Sequence, residues 1–180
     1  MWEERVNHCD RKNSCELRAP ARLPSAAVNR RRRKKLTKSL AGAVLCDEGT
    51  RVDRLLKAGA DPAAPDADGT TPLYAACVQG SAGIARSLLA AGAPPDAPSA
   101  GPGAEGTPLC AAACWGHTDT VRVLLAHGAD PTLREDHGTG WTPLRWALRG
   151  PHPETADLLR AAIAGRETGG PVSGPGPTPG

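Results

Sequence analysis

Apolar residues along this chain fall into two alternating patterns. Short alanine-rich stretches open three times on Thr-Pro-Leu, at Thr71-Pro72-Leu73, Thr107-Pro108-Leu109 and Thr142-Pro143-Leu144. Each is followed by an amphipathic stretch with a leucine pair, at Leu88-Leu89, Leu124-Leu125 and Leu158-Leu159, and a fourth pair, Leu55-Leu56, precedes them all. The first leucines are spaced by 33 (55 to 88), 36 (88 to 124) and 34 (124 to 158) residues. Self-similarity at this period predicts stacked units that bury their apolar faces against each other, rather than a globule around one closed core.

Residues 70–97 show the physics of one unit. The Thr71 hydroxyl is suited to accept from the free N–H groups of a helix start, and Pro72 sits where no N–H is missed. A short helix follows through Ala75-Ala76-Cys77-Val78-Gln79, and Gly80 stops it. A second helix carries Ile84, Leu88 and Leu89 on one face, and Gly92 supplies a left-handed stop. Ala93-Pro94-Pro95-Asp96 is turn and loop chemistry. Small residues in the first helix let neighbouring helices approach closely; leucines of the second fill the space between units.

The next unit repeats the scheme with Ala111-Ala112-Ala113, Gly116-His117, Val121, Leu124-Leu125 and Gly128-Ala129-Asp130-Pro131. These residues, with Thr107-Pro108-Leu109, resemble the ankyrin repeat family over about residues 38–165. The resemblance implies an all-α repeat solenoid of about four helix-turn-helix units with β-turn or hairpin fingers. The expected boundaries are a disordered basic leader over 1–35, an ankyrin domain over 36–165 with units of about 38–66, 67–102, 103–137 and 138–165, and a disordered Gly/Pro tail over 166–180. The first unit is degenerate: Leu40 takes the leucine slot and Ala43 the alanine slot, but Lys38-Ser39 replaces Thr-Pro. The last unit, counted to Leu158, is one residue short after Ala147, with Gly150-Pro151-His152-Pro153 as its turn.

Two departures from the family pattern carry expectations. Its histidine after Thr-Pro-Leu is Tyr74, Cys110 and Arg145 here, so the hydrogen bond that histidine makes to a neighbouring unit is absent or replaced, and stability should be modest. The finger from Asp96 to Gly106 is three residues longer and rich in Gly, Pro and Ala, which predicts mobility.

Composition sharpens the picture. The 180 residues include no Phe, one Tyr and four Trp, which suits cores of alanine and leucine. The net charge of +3 hides an asymmetry. Residues 1–38 hold twelve Lys and Arg against four acids, a balance of +8, and the remainder holds ten against fifteen, a balance of −5. Arg30-Arg31-Arg32-Arg33-Lys34-Lys35 is the densest cationic block. It reads as a solvated leader, as a nuclear-localisation signal, or as a contact for nucleic acid or an anionic membrane. Aromatic interleaving of the kind that stacks on bases is missing there, Trp2 apart.

No apolar run approaches a bilayer span, and Met1-Trp2-Glu3-Glu4 lacks the cationic start and apolar run of a secretory signal. That points to an intracellular protein, cytoplasmic or nuclear, with free thiols. Cys110, Cys114 and His117 lie close together, but a structural zinc site needs four ligands and no fourth is evident, so no metal or other cofactor is expected. Cys9 and Cys15 look incidental. Gly101-Pro102-Gly103-Ala104-Glu105-Gly106 satisfies the spacing of a dinucleotide fingerprint, yet Pro94 to Ala100 cannot supply the buried strand and βαβ unit that fingerprint needs. No nucleophile elbow or phosphate-binding Gly-Lys-Ser/Thr occurs, and the five histidines are scattered. No residue is nominated for catalysis.

The resemblance implies a protein partner on the face formed by finger tips and the exposed side of each first helix. Carried over by position, that face holds Leu45-Cys46, Val78-Gln79 and Cys114-Trp115, with Arg149 nearest in the last unit, and Thr70, Gly106 and Trp141 just before each threonine. Because Trp and Arg dominate hot spots, Trp115, Trp141, Arg134 and Arg149 form the expected patch, with Cys114, Val78, Gln79 and Thr70 around it. Trp141 serves either as a hot spot or as a shield for the end of the stack, and Trp146 is assigned to packing. The expected function is a non-catalytic, monomeric adaptor or regulator. A nuclear regulator whose leader touches nucleic acid is the alternative. A narrower variant is an inhibitor similar to small four-repeat ankyrin proteins that block cyclin-dependent kinases; those shorten the first helix of their second unit, whereas Leu73 to Gly80 has full length.

Overall fold

The computed structural model describes residues 30–101, 104–135, 138 and 140–168. The helices run α1 (Arg30–Leu45), α2 (Gly49–Lys57), α3 (Pro72–Gln79), α4 (Ala82–Ala90), α5 (Pro108–Cys114), α6 (Thr118–Ala126), α7 (Pro143–Arg149) and α8 (Pro153–Thr168). A two-stranded antiparallel hairpin, β1 (Ser99–Gly101) and β2 (Ala104–Gly106), lies between α4 and α5. Helices pair within each unit, and like helices stack between units: α1 on α3, α3 on α5 and α5 on α7, with α2, α4, α6 and α8 forming the second row. The chain is therefore an all-α stack of four paired-helix layers.

Local chemistry explains why each unit starts where it does. The Thr71, Thr107 and Thr142 hydroxyls accept from the backbone N–H groups of Tyr74 (3.3 Å), Cys110 (3.2 Å) and Arg145 (3.3 Å), and proline follows each cap. Gly80 ends α3 at φ 74°, the left-handed conformation that glycine adopts without strain. Asp47, at φ 55°, makes the corresponding turn in the first unit and accepts a 2.6 Å hydrogen bond from the Ser81 hydroxyl of the next. Leu40, Leu88, Leu109, Leu124 and Leu159 are fully buried, as are Ala43, Ala76 and Ala112. Each such leucine contributes roughly 1.5–3 kcal/mol relative to exposure.

The structure corrects the register of the last unit. Twelve residues separate Ala76 from Leu88 and Ala112 from Leu124, and the same twelve separate Ala147 from Leu159. Leu159 is completely buried, whereas Leu158 is only partly so. His152 packs its ring against Gly116 as His117 packs against Gly80. The unit is thus not short, and the spacing from Leu124 is 35 residues (124 to 159). Its turn differs in shape only: Gly150 is extended (φ −82°, ψ 166°) because Pro151 disfavours a helical residue before it.

The basic block also differs from expectation. α1 begins at Arg30, so the Arg30–Lys35 block opens the first helix instead of ending a disordered leader. Arg33 is tied to the stack by a 2.6 Å ion pair with Asp61, and Thr37 accepts from the Asp61 N–H at 3.3 Å. Residues 1–29, with Trp2, Cys9 and Cys15, and residues 169–180 lie outside the described residues. At the other end α8 continues past 165 to Thr168.

The long finger, expected to be mobile, is paired. Ser99 stands opposite Gly106, Ala100 opposite Glu105 and Gly101 opposite Ala104. The Ala100 N–H donates to the Gly69 carbonyl at 3.2 Å, and Thr71 N–H to the Ser99 hydroxyl at 3.3 Å, so the finger is stitched to the preceding unit. The missing family histidine is replaced rather than lost. Tyr74 donates its hydroxyl to the Glu105 carbonyl (3.4 Å), and Cys110 its thiol to the Trp141 carbonyl (3.7 Å), each reaching the finger of the following unit.

Candidate protein-binding face

The expected residues lie at the ends of the first helices and on the fingers beside them. Trp141 leads into α7 and is half-buried, its ring centroid 4.8 Å from that of Trp146 at an interplanar angle of 50°. The guanidinium carbons of Arg145 and Arg149 lie 4.5 and 4.9 Å from the Trp141 centroid, within cation–π range. Trp146 is held from below by a 2.7 Å hydrogen bond from its indole N–H to the Glu135 carboxylate. Glu135 in turn is fixed by backbone bonds, its N–H donating to the Trp141 carbonyl and its own carbonyl accepting from Gly138 and Gly140. Arg134 is exposed and donates to the Gly140 carbonyl at 3.3 Å.

Further along, Trp115 caps α5 and is 60% exposed, directly after half-buried Cys114. Cys114 has its thiol pKa raised by burial first and by the Glu135 carboxylate second, with Arg149 pulling the other way. That places Cys114 beside both α7 and the last finger. Gln79 is exposed and donates through Nε2 to the Leu45 carbonyl at 3.1 Å, bridging α3 to α1. The Val78 carbonyl accepts from His117 Nε2 at 3.1 Å, which fixes the Nε2–H tautomer because a carbonyl only accepts. Thr70 is half-buried against Gly101, and its N–H donates to Asp66 at 2.9 Å. A groove of about 890 Å³ runs between α1 (Thr37, Ala41, Leu45) and the first finger (Pro65 to Asp68), and one of about 600 Å³ separates the second and third fingers.

The ankyrin repeats family model, in three copies, matches residues 40–135 and again residues 98–167. The chain belongs to the ankyrin repeat family. No curated protein matches it. Ankyrin repeats are generally protein–protein interaction modules.

Within this ankyrin stack, the expected patch divides in two. Trp141, Arg149 and Cys114 are brought together around α7 and the last finger, with Arg134 on that finger and Trp115 adjoining Cys114 in sequence. Val78, Gln79 and Thr70 belong to the second unit, and two of them serve mainly as ties between units. The sequence expectation missed Arg145 and Glu135. Arg145 carried a usable signal, since it lies one helical turn before Arg149 and so shares its face. Glu135 carried none, because only the folding-back of the last finger brings it under Trp146. Trp146, assigned to packing, does pack, and its polar edge is what anchors the Trp141 stack.

Among the described residues, no group of three or more His, Cys, Asp or Glu is placed to hold a metal, and His117 is engaged with Val78 and Gly80. Cys46, Cys77, Cys110 and Cys114 are all free thiols. No described helix is long and apolar enough to cross a membrane. The dinucleotide-like spacing at Gly101–Gly106 falls on the β1–β2 hairpin.

Proposed function

We propose that this ankyrin stack is a non-catalytic adaptor or regulator, acting inside the cell, that holds a protein partner on the side formed by its first helices and fingers. The carrying observation is where large apolar side chains meet water. Among the described residues these are Leu45 (59%), Trp115 (60%) and Leu148 (55%) on the first helices and Leu133 (36%) on a finger. The second helices contribute none. A folded chain that confines its apolar exposure to one side reserves that side for contact. The free thiols accord with a reducing compartment.

The test is affinity capture from cell extract with the full chain and with Trp115→Ala, folding being checked by circular dichroism. Loss of a specific protein partner in the folded variant supports the proposal. Unchanged capture removes Trp115 from the surface, and recovery of no protein under several cellular conditions counts against the function itself.

A second reading, contact of the basic block with nucleic acid, rests on the exposure of Arg31, Arg32, Lys34 and Lys35 along the start of α1, where of the block's described side chains only Arg33 is ion-paired. Changing those four residues to Gln should abolish any salt-dependent binding to a duplex oligonucleotide; binding that survives the change ends that reading. The kinase-inhibitor variant gains nothing from α3, which at eight residues is a residue longer than α5 and α7.

A further inference from the structure

Among the described residues, the Arg145 and Arg149 guanidiniums donate no hydrogen bond, so their donor capacity is available to a ligand. Each holds its guanidinium carbon over the Trp141 ring, 4.5 and 4.9 Å from the centroid, so the ring restricts where the head group sits. Neither takes part in any of the four ion pairs among the described residues, which join Arg33 to Asp61, Arg51 to Glu48, Arg160 to Asp157 and Arg166 to Asp130. The Glu135 carboxylate is engaged with the Trp146 indole. Trp141 therefore acts as a platform, itself buttressed by Trp146, that holds two guanidiniums in place before any ligand arrives.

Such an arrangement lowers the ordering cost of binding, because rotamers that would be frozen on contact are already restricted. A guanidinium offers a planar fork of N–H donors that matches a carboxylate two bonds at a time. Exposed apolar side chains stand on the same two packed helices, Leu148 on α7 and Trp115 at the end of α5. Residues 39–180 as a whole carry ten basic against fifteen acidic side chains, so this pair of cations does not belong to a generally basic stretch of chain. Two neighbouring cations on one aromatic ring, with exposed apolar side chains on the same side of the stack, suit a short ligand with local negative charge better than a continuous phosphate backbone.

We propose that the Trp141–Arg145–Arg149 stack is a docking site for an acidic linear peptide in a protein partner, its carboxylates paired with the two guanidiniums and an apolar side chain seated by Trp115 and Leu148. This rests on the protein-binding role proposed above and specifies its chemistry. Arg145, from the family's histidine slot, is the specificity residue of this chain.

The experiment uses the full chain and fluorescein-labelled dodecapeptides that carry two glutamates and one phenylalanine or leucine at varied spacing, each paired with its Glu→Gln counterpart, read by fluorescence anisotropy. The best acidic peptides should bind about tenfold more tightly than their neutral counterparts, the scale of two partly exposed charge pairs. In Arg145→Gln/Arg149→Gln that preference should vanish. In Arg145→Lys/Arg149→Lys, which keeps the charge and guards against a folding artefact, it should fall to about threefold, because the planar fork is gone. Peptides that bind on this side, sensitive to Trp115→Ala, but with no acidic preference overturn the acidic site and leave the protein-binding role standing. An acidic preference that persists in the Gln pair, or no peptide binding at all, overturns it as well. So does an oligothymidylate that binds more tightly than every peptide and loses affinity in the Gln pair, which would assign the stack to nucleic acid.

Discussion

Replacing Leu159 by Ala and, separately, Leu158 by Ala tests the register of the fourth unit. Leu159 is completely buried, occupying in α8 the place of Leu124 in α6. Removing its side chain forfeits about 1.5–3 kcal/mol of transfer free energy, and the cavity left behind brings the expected cost to about 2–5 kcal/mol. Leu158 is only partly buried and stands where Val123 stands in the previous unit, so its truncation should cost about 1 kcal/mol. The difference is observable because, among the described residues, the helix contacts that hold the fourth unit to the rest are chiefly α7 on α5 and α8 on α6. In a stack the loss at a terminal unit is bounded by that interface, beyond which the unit detaches while the others stay folded. Urea unfolding should be followed by circular dichroism for the whole stack and by tryptophan fluorescence, to which Trp141 and Trp146 of the last unit contribute. Leu159→Ala should shift the fluorescence midpoint downward first and split it from the circular dichroism curve. A Leu158→Ala cost equal to or greater than that of Leu159→Ala would refute the corrected register and restore the shorter unit.

Three further outcomes follow from the packing. Thr120 is completely buried in α6 and its hydroxyl has no hydrogen-bond partner among the described residues, while the corresponding Thr155 bonds the Thr118 hydroxyl at 2.8 Å; Thr120→Val should therefore stabilise the stack by about 1 kcal/mol in urea melts, and destabilisation would mean the hydroxyl is satisfied. Of the four described cysteines, alkylation with iodoacetamide near neutral pH, read by peptide mapping, should modify exposed Cys46 first and Cys114 more slowly, and reach Cys77 and Cys110 only on unfolding. Burial raises both of those thiols, Cys110 to about 12, and the thiolate is the reactive form; early modification of Cys77 would contradict the core assignment. Tyr74 is pushed up to about 12, chiefly by burial and next by the Glu135 carboxylate, against an ordinary value near 10. The folded state thus keeps a proton that the unfolded chain releases, so this stabilisation is intact below about pH 10 and is lost as the pH climbs from about 10 to about 12. Tyr74→Phe should flatten the alkaline arm of the stability profile in that window, and an unaltered slope would show that Tyr74 is not the group responsible.

The amino-acid sequence by itself determined the units. A threonine cap, a proline at the next position and a glycine stop act over a few residues, so Thr71, Pro72 and Gly80 specify α3 wherever it packs. Buried faces were legible for the same reason: Leu40, Ala43, Ile84, Leu88 and Leu124 repeat at helical spacing, and only stacked layers can cover them all. Tertiary structure decided everything that depends on which neighbour arrives. Leu158 and Leu159 both satisfy the leucine pattern, and only the fit of α8 against α6 selects Leu159. The Arg30–Lys35 block has the composition of a solvated leader, yet its helix continues into a buried face and Arg33 finds Asp61 on the first finger, 28 residues away. The Gly-rich finger has no intrinsic preference for a strand, and it pairs because Gly69 and Thr71 offer backbone partners on the preceding unit. The Trp141 stack is of the same kind. Arg145 and Arg149 share a helix face in any sequence, but whether that face meets an aromatic ring, and whether the ring is buttressed, depends on Glu135 folding back beneath Trp146, a contact made through space that no local pattern encodes.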